Sequence, residues 1–324
     1  MVFTLNPEQV KQKAKAIGFH AVGFVAIGKE LGSQAPQSWG LTQWLQRGDH
    51  ADMGWMTDSR RLNILQVMPE AQSLISLALN YYTPHAQPTQ PVYGKIARYA
   101  RGRDYHRVME KRLKLFARWL KDQQEGILTR YYVDSGPIQE KPWAERAGLG
   151  WIGKNGNLIT RQFGSWVVLG EVITNGTLTP DTPHNAHCGT CTRCISACPT
   201  QAIRAVDSSM SSPKAFAVDA NRCIAYHTIE NRAEQLPSAL IPHLNGWIAG
   251  CDICQEVCPW NQRFAQPTDI EEFQPYPSNL APSLHELSNL TDHDWNIRFP
   301  ASALRRIKPA MFRRNAKAVM TTRP

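Results

Sequence analysis

The chain has 324 residues, of which 42% are hydrophobic and 19% charged, the proportions of a globular protein with a sizeable core. No run approaches the roughly 18 apolar residues of a membrane span, and no secretion signal is visible at the start. We therefore expect a cytoplasmic protein without membrane contact. The net charge of +9 favours a polyanionic partner.

The first 80 residues predict one helix and two buried strands. Asn6-Pro7-Glu8 is typical of a helix start, with a capping side chain, a proline and an acid in the first turn, and Gly18 marks the helix end. Apolar runs over residues 21–27 and 73–79 then predict the two strands.

The clearest amphipathic helix begins near Tyr105. Its core face consists of residues at helical spacing: Met109, Leu113, Phe116 and Leu120. Another face carries a basic stripe at intervals of four and three: Arg107, Lys111, Lys114, Arg118 and Lys121. A charge run is usually a solvated helix face, but no acid alternates within this stripe, so polyanion binding is an equal interpretation.

A β-prone segment over residues 129–133 leads into Asp134-Ser-Gly-Pro137. A carboxylate displayed at a strand end is often catalytic, although Asp-Ser-Gly is also a common turn former, so both interpretations of Asp134 stay open. The pair Tyr105-His106 also has two interpretations, because it could bind a polar ligand or pack inside the protein. Lys154, Asn155 and Asn157 are hydrogen-bond donors or simple turn formers.

A short helix is predicted from Pro142 to Gly148, where the run Gly148-Leu-Gly-Trp-Ile-Gly153 begins. This run is not a dinucleotide-binding fingerprint, because that motif follows a strand and opens a helix. We expect instead turns at which the backbone approaches a large flat group. Residues 158–160 and 166–173 alternate like the two strands of a hairpin.

The cysteines form the most specific motif. The chain has eight: Cys188, Cys191, Cys194, Cys198, Cys223, Cys251, Cys254 and Cys258. The first four follow the C-x2-C-x2-C-x3-C-P spacing of two-cluster ferredoxins, in which the fourth cysteine ligates the other cluster. Eight thiolates suffice for two [4Fe–4S] clusters. The crossover rule assigns one cluster to Cys188, Cys191, Cys194 and Cys258, and the other to Cys198, Cys223, Cys251 and Cys254.

Zinc and disulfides are the alternatives to iron–sulfur clusters. Two zinc ions could also use eight cysteines, but zinc sites are typically built from C-x2-C pairs separated by a longer loop. Disulfides are disfavoured because three of the cysteines are crowded together and nothing suggests secretion. The spacing therefore favours two clusters and an electron-transfer role.

Composition and motifs divide the chain into three predicted domains. Residues 1–180 mix strands and helices in one α/β (α+β) domain, and residues 181–265 form the cluster domain, with a serine-rich surface loop over 207–214. Residues 266–324 form a basic helical tail, in which a short helical pair is broken at Pro309. Taken alone, these residues indicate an iron–sulfur electron-transfer protein with a basic surface.

Five segments together resemble one family. They are Tyr99-Ala-Arg-Gly-Arg-Asp-Tyr-His106, Val133-Asp-Ser-Gly-Pro137, Lys141-Pro-Trp-Ala-Glu-Arg-Ala-Gly-Leu-Gly-Trp-Ile-Gly-Lys-Asn155, Cys223-Ile-Ala-Tyr-His-Thr-Ile-Glu230 and Cys251-Asp-Ile-Cys-Gln-Glu-Val-Cys-Pro-Trp-Asn261. In this combination the chain resembles the epoxyqueuosine reductases over nearly its whole length. Reductive dehalogenases share the plan of cobalamin and two clusters.

The resemblance implies a fold, cofactors and a reaction. The fold is a nitroreductase-like cobalamin-binding domain followed by a bacterial-ferredoxin-like domain. The cofactors are base-off cobalamin and two [4Fe–4S] clusters. Electrons from an external reductant pass through the clusters to cobalt, which acts on epoxyqueuosine at the wobble position of tRNA and gives queuosine, the last step of its biosynthesis. We expect a monomer.

The resemblance also implies roles for individual residues. Asp134 corresponds to the acid that protonates the oxygen leaving the opened epoxide, and burial against the corrin would raise its pKa. The implied cobalamin contacts are Tyr99, Tyr105, His106, Asp134, Ser135, Lys154, Asn155, Asn157, Leu158, Ser165, Ala225 and Asp252. The basic residues expected to contact tRNA are Arg107, Lys111, Lys114, Arg118, Arg305, Arg306, Arg313 and Arg314.

Two departures from the family pattern affect these expectations. Family members often have serine at the position of Ala225, which puts a cofactor contact there in doubt. Longer members continue past the tail into a helical repeat, so the basic stripe and tail would carry more of the tRNA binding. Two other functions stand beside this one: a reductive dehalogenase acting on small halogenated molecules, and a non-catalytic electron carrier or nucleic-acid-binding module.

Overall fold

A computed structural model describes residues 3–27, 38–206 and 215–322, so the predicted loop at 207–214 lies outside the described residues. The strands are β1 Phe3–Thr4, β2 Ala21–Ala26, β3 Ser73–Asn80, β4 Lys95–Ile96, β5 Thr129–Tyr132, β6 Trp151–Ile152, β7 Leu158–Ile159, β8 Val167–Thr174, β9 Gly176–Thr177, β10 Ile203–Val206, β11 Ala215–Val218 and β12 Trp247–Ala249. The α-helices are α1 Pro7–Ile17, α2 Ser38–Gln46, α3 Tyr105–Lys121, α4 Glu140–Arg146, α5 Arg193–Ala197, α6 Ile224–Ile229, α7 Ile253–Glu256, α8 Pro259–Phe264, α9 Pro277–Leu280, α10 Leu284–Ser288, α11 Asp292–Arg298 and α12 Pro309–Met320.

The described residues divide into two compact units. The first contains the residues up to Gly48 together with 54–80 and 106–190. The second contains residues 49–53, 81–105 and those from Cys191 onward. The three functional domains predicted from the sequence stay a prediction, because compactness alone assigns no cofactor to a segment.

The first unit is built on a four-stranded antiparallel sheet in the order β2-β3-β8-β5. Helix α4 packs on one face, where Trp143 and Ala144 join a buried cluster with Leu169 of β8. Helix α3 packs on the other face, since a side chain at Gly170 would meet Leu113. The predicted mixture of helices and strands is therefore confirmed as helix, sheet and helix layers.

The two long helices of this unit form as their sequences predict. The Asn6 side chain accepts hydrogen bonds from the backbone N–H groups of Glu8 and Gln9, at 3.0 and 3.2 Å, and Gly18 ends α1 with φ of +96°. The predicted core face of α3 is fully buried: Met109, Leu113, Phe116 and Leu120. Apolar periodicity and capping residues were thus sufficient to predict both helices.

The predicted hairpin over 158–160 and 166–173 is wrong. Strand β7 pairs with β6, whereas β8 pairs with β3 and β5 in the main sheet. Only an isolated bridge between Thr160 and Gly164 links the two segments. Alternation along a strand reports which face is buried, not which strand lies beside it, so the pattern could not identify the partners.

The glycines of the 148–153 run make room for the protein itself, and the expected approach to a large flat group stays a prediction. The helix-first order is confirmed, since Gly148 ends the α4 turn with φ of +73°. A Cβ on Gly150 would lie 2.1 Å from the Ile159 carbonyl oxygen, and one on Gly153 would lie 2.6 Å from the Ile159 side chain. These positions therefore need glycine so that β7 can approach.

The second unit has its own core, in which α12 packs against α10 and β12. Asn315 of α12 is fully buried and donates hydrogen bonds to the carbonyls of Thr228 and Ile248, both at 2.9 Å. The predicted helical tail is confirmed, with a 3₁₀ turn at Ala303–Arg306 and then α12 beginning at Pro309. Among the described residues, no helix is both long and apolar enough to cross a membrane.

The burial of α3 predicts the outcome of two leucine substitutions. Leu113→Ala should lower the free energy of unfolding by about 2–5 kcal/mol, because the side chain is fully buried and its loss leaves a cavity. Leu115→Ala is the matched control on the same helix; its side chain is 48% exposed, so the change should stay within about 0.5 kcal/mol. Denaturant unfolding followed by circular dichroism measures both. Equal losses would contradict this assignment of the core face.

Candidate active site

Asp134 lies on a tight turn directly after β5, as the sequence predicts. Its backbone has φ of +51°, and the Ser135 N–H donates to the Val133 carbonyl at 2.6 Å, which makes Asp134 the centre of a three-residue turn. The Asp134 side chain is 59% exposed, and its carboxylate lies 3.2 Å from Nε2 of His106, at the start of α3. The structure therefore brings together two predicted site residues and leaves the carboxyl accessible to a substrate.

The first residue of α4, Glu140, completes this turn. Its Oε1 accepts a hydrogen bond from the Asp134 backbone N–H at 2.5 Å. Burial and, to a smaller extent, the negative charge of Asp134 raise the pKa of the Glu140 carboxyl to about 8, while His106 acts in the opposite direction. Sequence reasoning missed Glu140, because nothing in its neighbours signals that its side chain reaches back to the turn.

A second polar turn lies beside the same end of α4. It connects β6 and β7 and carries the predicted residues Lys154, Asn155 and Asn157. Lys141, adjacent to Glu140, donates its Nζ to the Gly156 carbonyl at 2.8 Å and so ties this turn to α4. The start of α4 therefore holds both turns.

The individual residues of this second turn have internal partners. Asn155 is buried and its side chain accepts the Asn157 N–H at 3.2 Å, while Lys154 donates to the Gly189 carbonyl at 2.8 Å. Leu158 and Ser165 are also buried. These contacts position the turn, and a role in cofactor binding stays a prediction for each residue.

Two further charged residues that sequence reasoning missed surround the Asp134 turn. Arg61 is buried and donates to the Ile138 carbonyl, and burial lowers the pKa of its guanidinium while Asp134 and Glu140 act in the opposite direction. Glu171 of β8 is fully buried on the α4 face; its Oε1 accepts from the Ser76 hydroxyl at 3.0 Å. Burial raises the pKa of Glu171 well above its usual range. Glu140 thus has a second acid near it, the buried Glu171, and both carboxyls favour the protonated form.

Four predicted cobalamin contacts lie in the second unit. Tyr99 and Tyr105 meet edge to face, with ring centroids 5.8 Å apart, and Ala225 is the second residue of α6. Asp252 is buried, accepts the Arg98 N–H at 2.7 Å and lies 3.9 Å from the Arg101 guanidinium. Burial raises the pKa of Asp252 to about 6. Asp252 therefore has a structural role, and its contact with a cofactor stays a prediction.

The second cysteine run is arranged as a cluster site requires. In the second unit α5 packs against α7, which brings the two cysteine runs together. Burial raises the pKa of the Cys254 thiol, and Cys223, Cys194 and Cys198 raise it further. Buried thiols ionise only beside a cation or cluster, so this donor set fits an iron–sulfur group. The division of the cysteines into two ligand sets stays a prediction, because Cys194 of the other set acts on Cys254 as Cys198 does.

A single-ion site would require several metal-binding side chains placed around one ion. No group of three or more His, Cys, Asp or Glu side chains in the described ranges 3–27, 38–206 and 215–322 is placed to hold one ion. A tetrahedral zinc site needs four sulfurs about 2.3 Å from the ion, a tighter arrangement than the corners of a cubane. The preference for clusters over zinc therefore rests on the sequence spacing of the cysteines.

The residues around Asp134 also fit a corrinoid. The rim of a corrinoid carries amide side chains. These amides need hydrogen-bond donors and acceptors of the kind found on the two turns at α4. Asp134 and Ser135 are exposed there, and Lys154 and Asn157 add a cation and an amide. The donor set is therefore suitable, and the individual contacts stay predictions.

The two basic regions differ in what their side chains already contact. All members of the α3 stripe are exposed: Arg107, Lys111, Lys114, Arg118 and Lys121. In the tail, Nη2 of Arg306 lies 2.5 Å from Oε2 of Glu230. The Arg305 guanidinium carbon lies 4.1 Å from the ring centroid of Trp295. The tail arginines thus have structural contacts that the stripe, within the described residues, does not share.

The other two tail arginines predicted to contact tRNA bind the backbone. Arg313 donates to the Leu290 carbonyl at 2.6 Å. Arg314 donates to the carbonyls of Asn231, Ala233 and His227, and burial lowers the pKa of its guanidinium to about 10. The stripe is therefore the better candidate surface for a polyanion, and tRNA contacts by the tail stay a prediction.

Comparisons with known proteins agree over nearly the whole chain. A family model described as Epoxyqueuosine reductase QueG, DUF1730 matches residues 61–135, and one described as 4Fe-4S double cluster binding domain matches residues 187–261. The curated epoxyqueuosine reductase of Synechocystis sp. is 58% identical over 297 residues, covering 92% of this chain and 99% of that protein. That of Atelocyanobacterium thalassa is 51% identical over 311 residues, covering 96% and 98%.

Solved structures agree with the sequence relatives. An epoxyqueuosine reductase with an epoxyqueuosine-modified tyrosine tRNA stem loop has a TM-score of 0.84 at 28% identity, covering 97% of this chain and 80% of that chain. The Bacillus subtilis enzyme, with its catalytic aspartate loop swung out of the active site, has a TM-score of 0.83 at 27% identity, covering 97% and 81%. The predicted family is confirmed: this chain belongs to the epoxyqueuosine reductases, a family of oxidoreductases.

Proposed function

We propose that this chain reduces epoxyqueuosine to queuosine in tRNA, with Asp134 as the general acid. The observation that carries the proposal is the Asp134 turn, where an exposed carboxyl lies 3.2 Å from His106 in a chain of this family. The solved relative with an epoxyqueuosine-modified tRNA stem loop supports tRNA as the substrate.

Converting an epoxide to an alkene consumes two electrons and two protons and releases one water. The oxygen leaves as water only if it is protonated, so an acid must reach it. The Asp134 carboxyl is exposed enough to do so, and His106 can exchange a proton with it through their hydrogen bond. Asp134 would thus deliver both protons in turn, and His106 would orient the carboxyl and return a proton to it after the first transfer.

The electrons come from groups that the chain holds rather than from its side chains. Cobalamin, when bound, supplies a strongly reducing cobalt, and two [4Fe–4S] clusters supply its electrons. The exposed turn residues at α4 would hold the corrinoid, with Tyr99, Tyr105, Ala225 and Asp252 as further predicted contacts. The eight cysteines would hold the clusters in the two sets assigned from their spacing.

The partners follow from this chemistry. The exposed α3 stripe would bind tRNA phosphates, and an external reductant would recharge the clusters. Because tRNA is the substrate, we place the protein in the cytoplasm. We also propose that it acts as a monomer, since the reaction needs one copy of each cofactor set.

Replacing Asp134 tests its role as the acid. Asp134→Asn keeps the size of the side chain but removes the transferable proton, so turnover should fall by ~10²–10⁴-fold. Iron, sulfide and cobalamin content and tRNA affinity should stay unchanged. The measurement is single-turnover conversion of epoxyqueuosine in tRNA, followed by nucleoside mass spectrometry under anaerobic conditions.

Asp122→Asn is the matched control for this variant. Asp122 is exposed just beyond the end of α3, so the same change there should leave turnover as in the wild type. An Asp134→Asn enzyme that turns over at the wild-type rate would remove Asp134 from the mechanism.

The basic stripe predicts salt-dependent tRNA binding. Affinity should fall steeply as salt rises, because each lysine or arginine that contacts a phosphate releases counterions. Lys111→Ala with Lys114→Ala should reduce the slope of log affinity against log salt by roughly 2, whereas Lys15→Ala, an exposed lysine on α1, should not change it. Filter binding or anisotropy at several salt concentrations measures the slope. An affinity that is flat with salt would exclude the stripe as the tRNA surface.

A further inference from the structure

The backbone of Asp134 has a conformation that costs free energy. A φ of +51° lies in the left-handed region, which aspartate tolerates better than most residues but does not favour. Such a conformation persists only where the surroundings hold it. The three-residue turn that results directs the carboxyl toward His106.

The Glu140 carboxylate is the group that holds this peptide. Its Oε1 accepts the Asp134 N–H at 2.5 Å, and a carboxyl oxygen can accept this bond whether or not the group is protonated. The segment between them is fixed as well: Gln139 donates to the Arg61 carbonyl at 2.8 Å, and Arg61 donates to that of Ile138. The turn is thus anchored at its centre by Glu140 and downstream by Arg61.

The position of this carboxyl is unfavourable for stability alone. Burial raises its pKa to about 8, and several titratable or charged groups face it: Asp134, His106, Lys141, Glu171 and Arg61. A neutral side chain would avoid the cost of desolvating a carboxylate. A carboxyl whose pKa is strongly raised beside a candidate acid is characteristic of functional sites.

We propose that Glu140 is a positioning residue, which holds the Asp134 peptide in its left-handed turn and so presents the Asp134 carboxyl beside His106. The inference rests on the proposed function for its effect on turnover, but the hydrogen bond itself does not. Glu140 acts through Asp134 and does not touch the reacting atoms.

Amide hydrogen exchange of the purified holoenzyme tests the hydrogen bond directly. Glu140→Leu removes the acceptor, so exchange at the Asp134 amide should become faster. Glu140→Gln keeps an acceptor oxygen and should preserve protection. Glu145→Leu is the matched control: Glu145 lies on the same helix and accepts the Ile152 N–H at 2.7 Å, so its loss should expose the Ile152 amide and leave that of Asp134 protected.

Turnover separates positioning from proton donation. Glu140→Leu should lower kcat on the order of 100-fold, as expected for a misplaced catalytic group, with the KM for tRNA unchanged. Glu140→Gln should restore kcat to within a few-fold of the wild type. A Gln variant as inactive as the Leu variant would show that the proton of Glu140 is required and would overturn the positioning role.

The pH dependence of the free energy of unfolding tests whether the role of Glu140 is purely structural. The pKa of Glu140 is raised on folding, so the folded chain binds more protons between pH of about 4.5 and 8, and wild-type stability falls as pH rises through that range. Glu140→Gln should therefore gain in Tm relative to the wild type as pH rises. A Gln variant that loses stability at every pH would overturn the proposal.

The outcomes distinguish this inference from the proposed function. A wild-type enzyme without any epoxyqueuosine conversion would contradict the proposed function, and the exchange pattern would still decide whether Glu140 holds the turn. Conversion by the wild type, with the Asp134 amide equally protected in the wild type and in Glu140→Leu, would contradict the positioning role alone.

Discussion

The start of α4 is the constraint on which the candidate site depends. Two adjacent residues there bind two different turns, since Glu140 accepts the Asp134 N–H and Lys141 donates to the Gly156 carbonyl. Helix α4 is itself fixed to the sheet by Trp143 and Ala144, which are almost fully buried. The packing of one short helix therefore determines where the acid and the polar residues of the second turn lie.

Burial then sets the chemistry of this region. Glu140 and Glu171 are carboxyls whose pKa values are raised first by desolvation, and each is further affected by a neighbouring acid. Arg61 and His106 offset part of this repulsion without removing it. Neighbouring acids and desolvation thus favour the protonated forms of Glu140 and Glu171 beneath an exposed Asp134, which suits a reaction that consumes two protons.

The sequence predicted well those features that depend on local periodicity or ligand spacing. Capping at Asn6 and the apolar face of α3 predicted both helices, and the cysteine spacing predicted a double cluster domain that the family comparison confirms. The sequence likewise predicted that Asp134 directly follows a strand. In each case the signal lies within a few residues of the chain.

What the sequence could not predict depends on partners distant in sequence or on side-chain reach. The hairpin was wrong because alternation does not identify the neighbouring strand. The glycines at 150 and 153 accommodate Ile159, which only the folded chain reveals. The sequence predicts Arg314 to be available to tRNA, yet its side chain donates hydrogen bonds to three backbone carbonyls. Glu140 carries no signal at all, because its role arises from a bond to the backbone.

Reduction of epoxyqueuosine by this chain is most directly tested by one anaerobic assay of the wild-type protein. The chain is loaded with iron, sulfide and cobalamin, and reductant and tRNA carrying epoxyqueuosine are added before the nucleosides are analysed by mass spectrometry. We predict conversion of epoxyqueuosine to queuosine. Absence of conversion in protein that contains both clusters and cobalt would contradict the account.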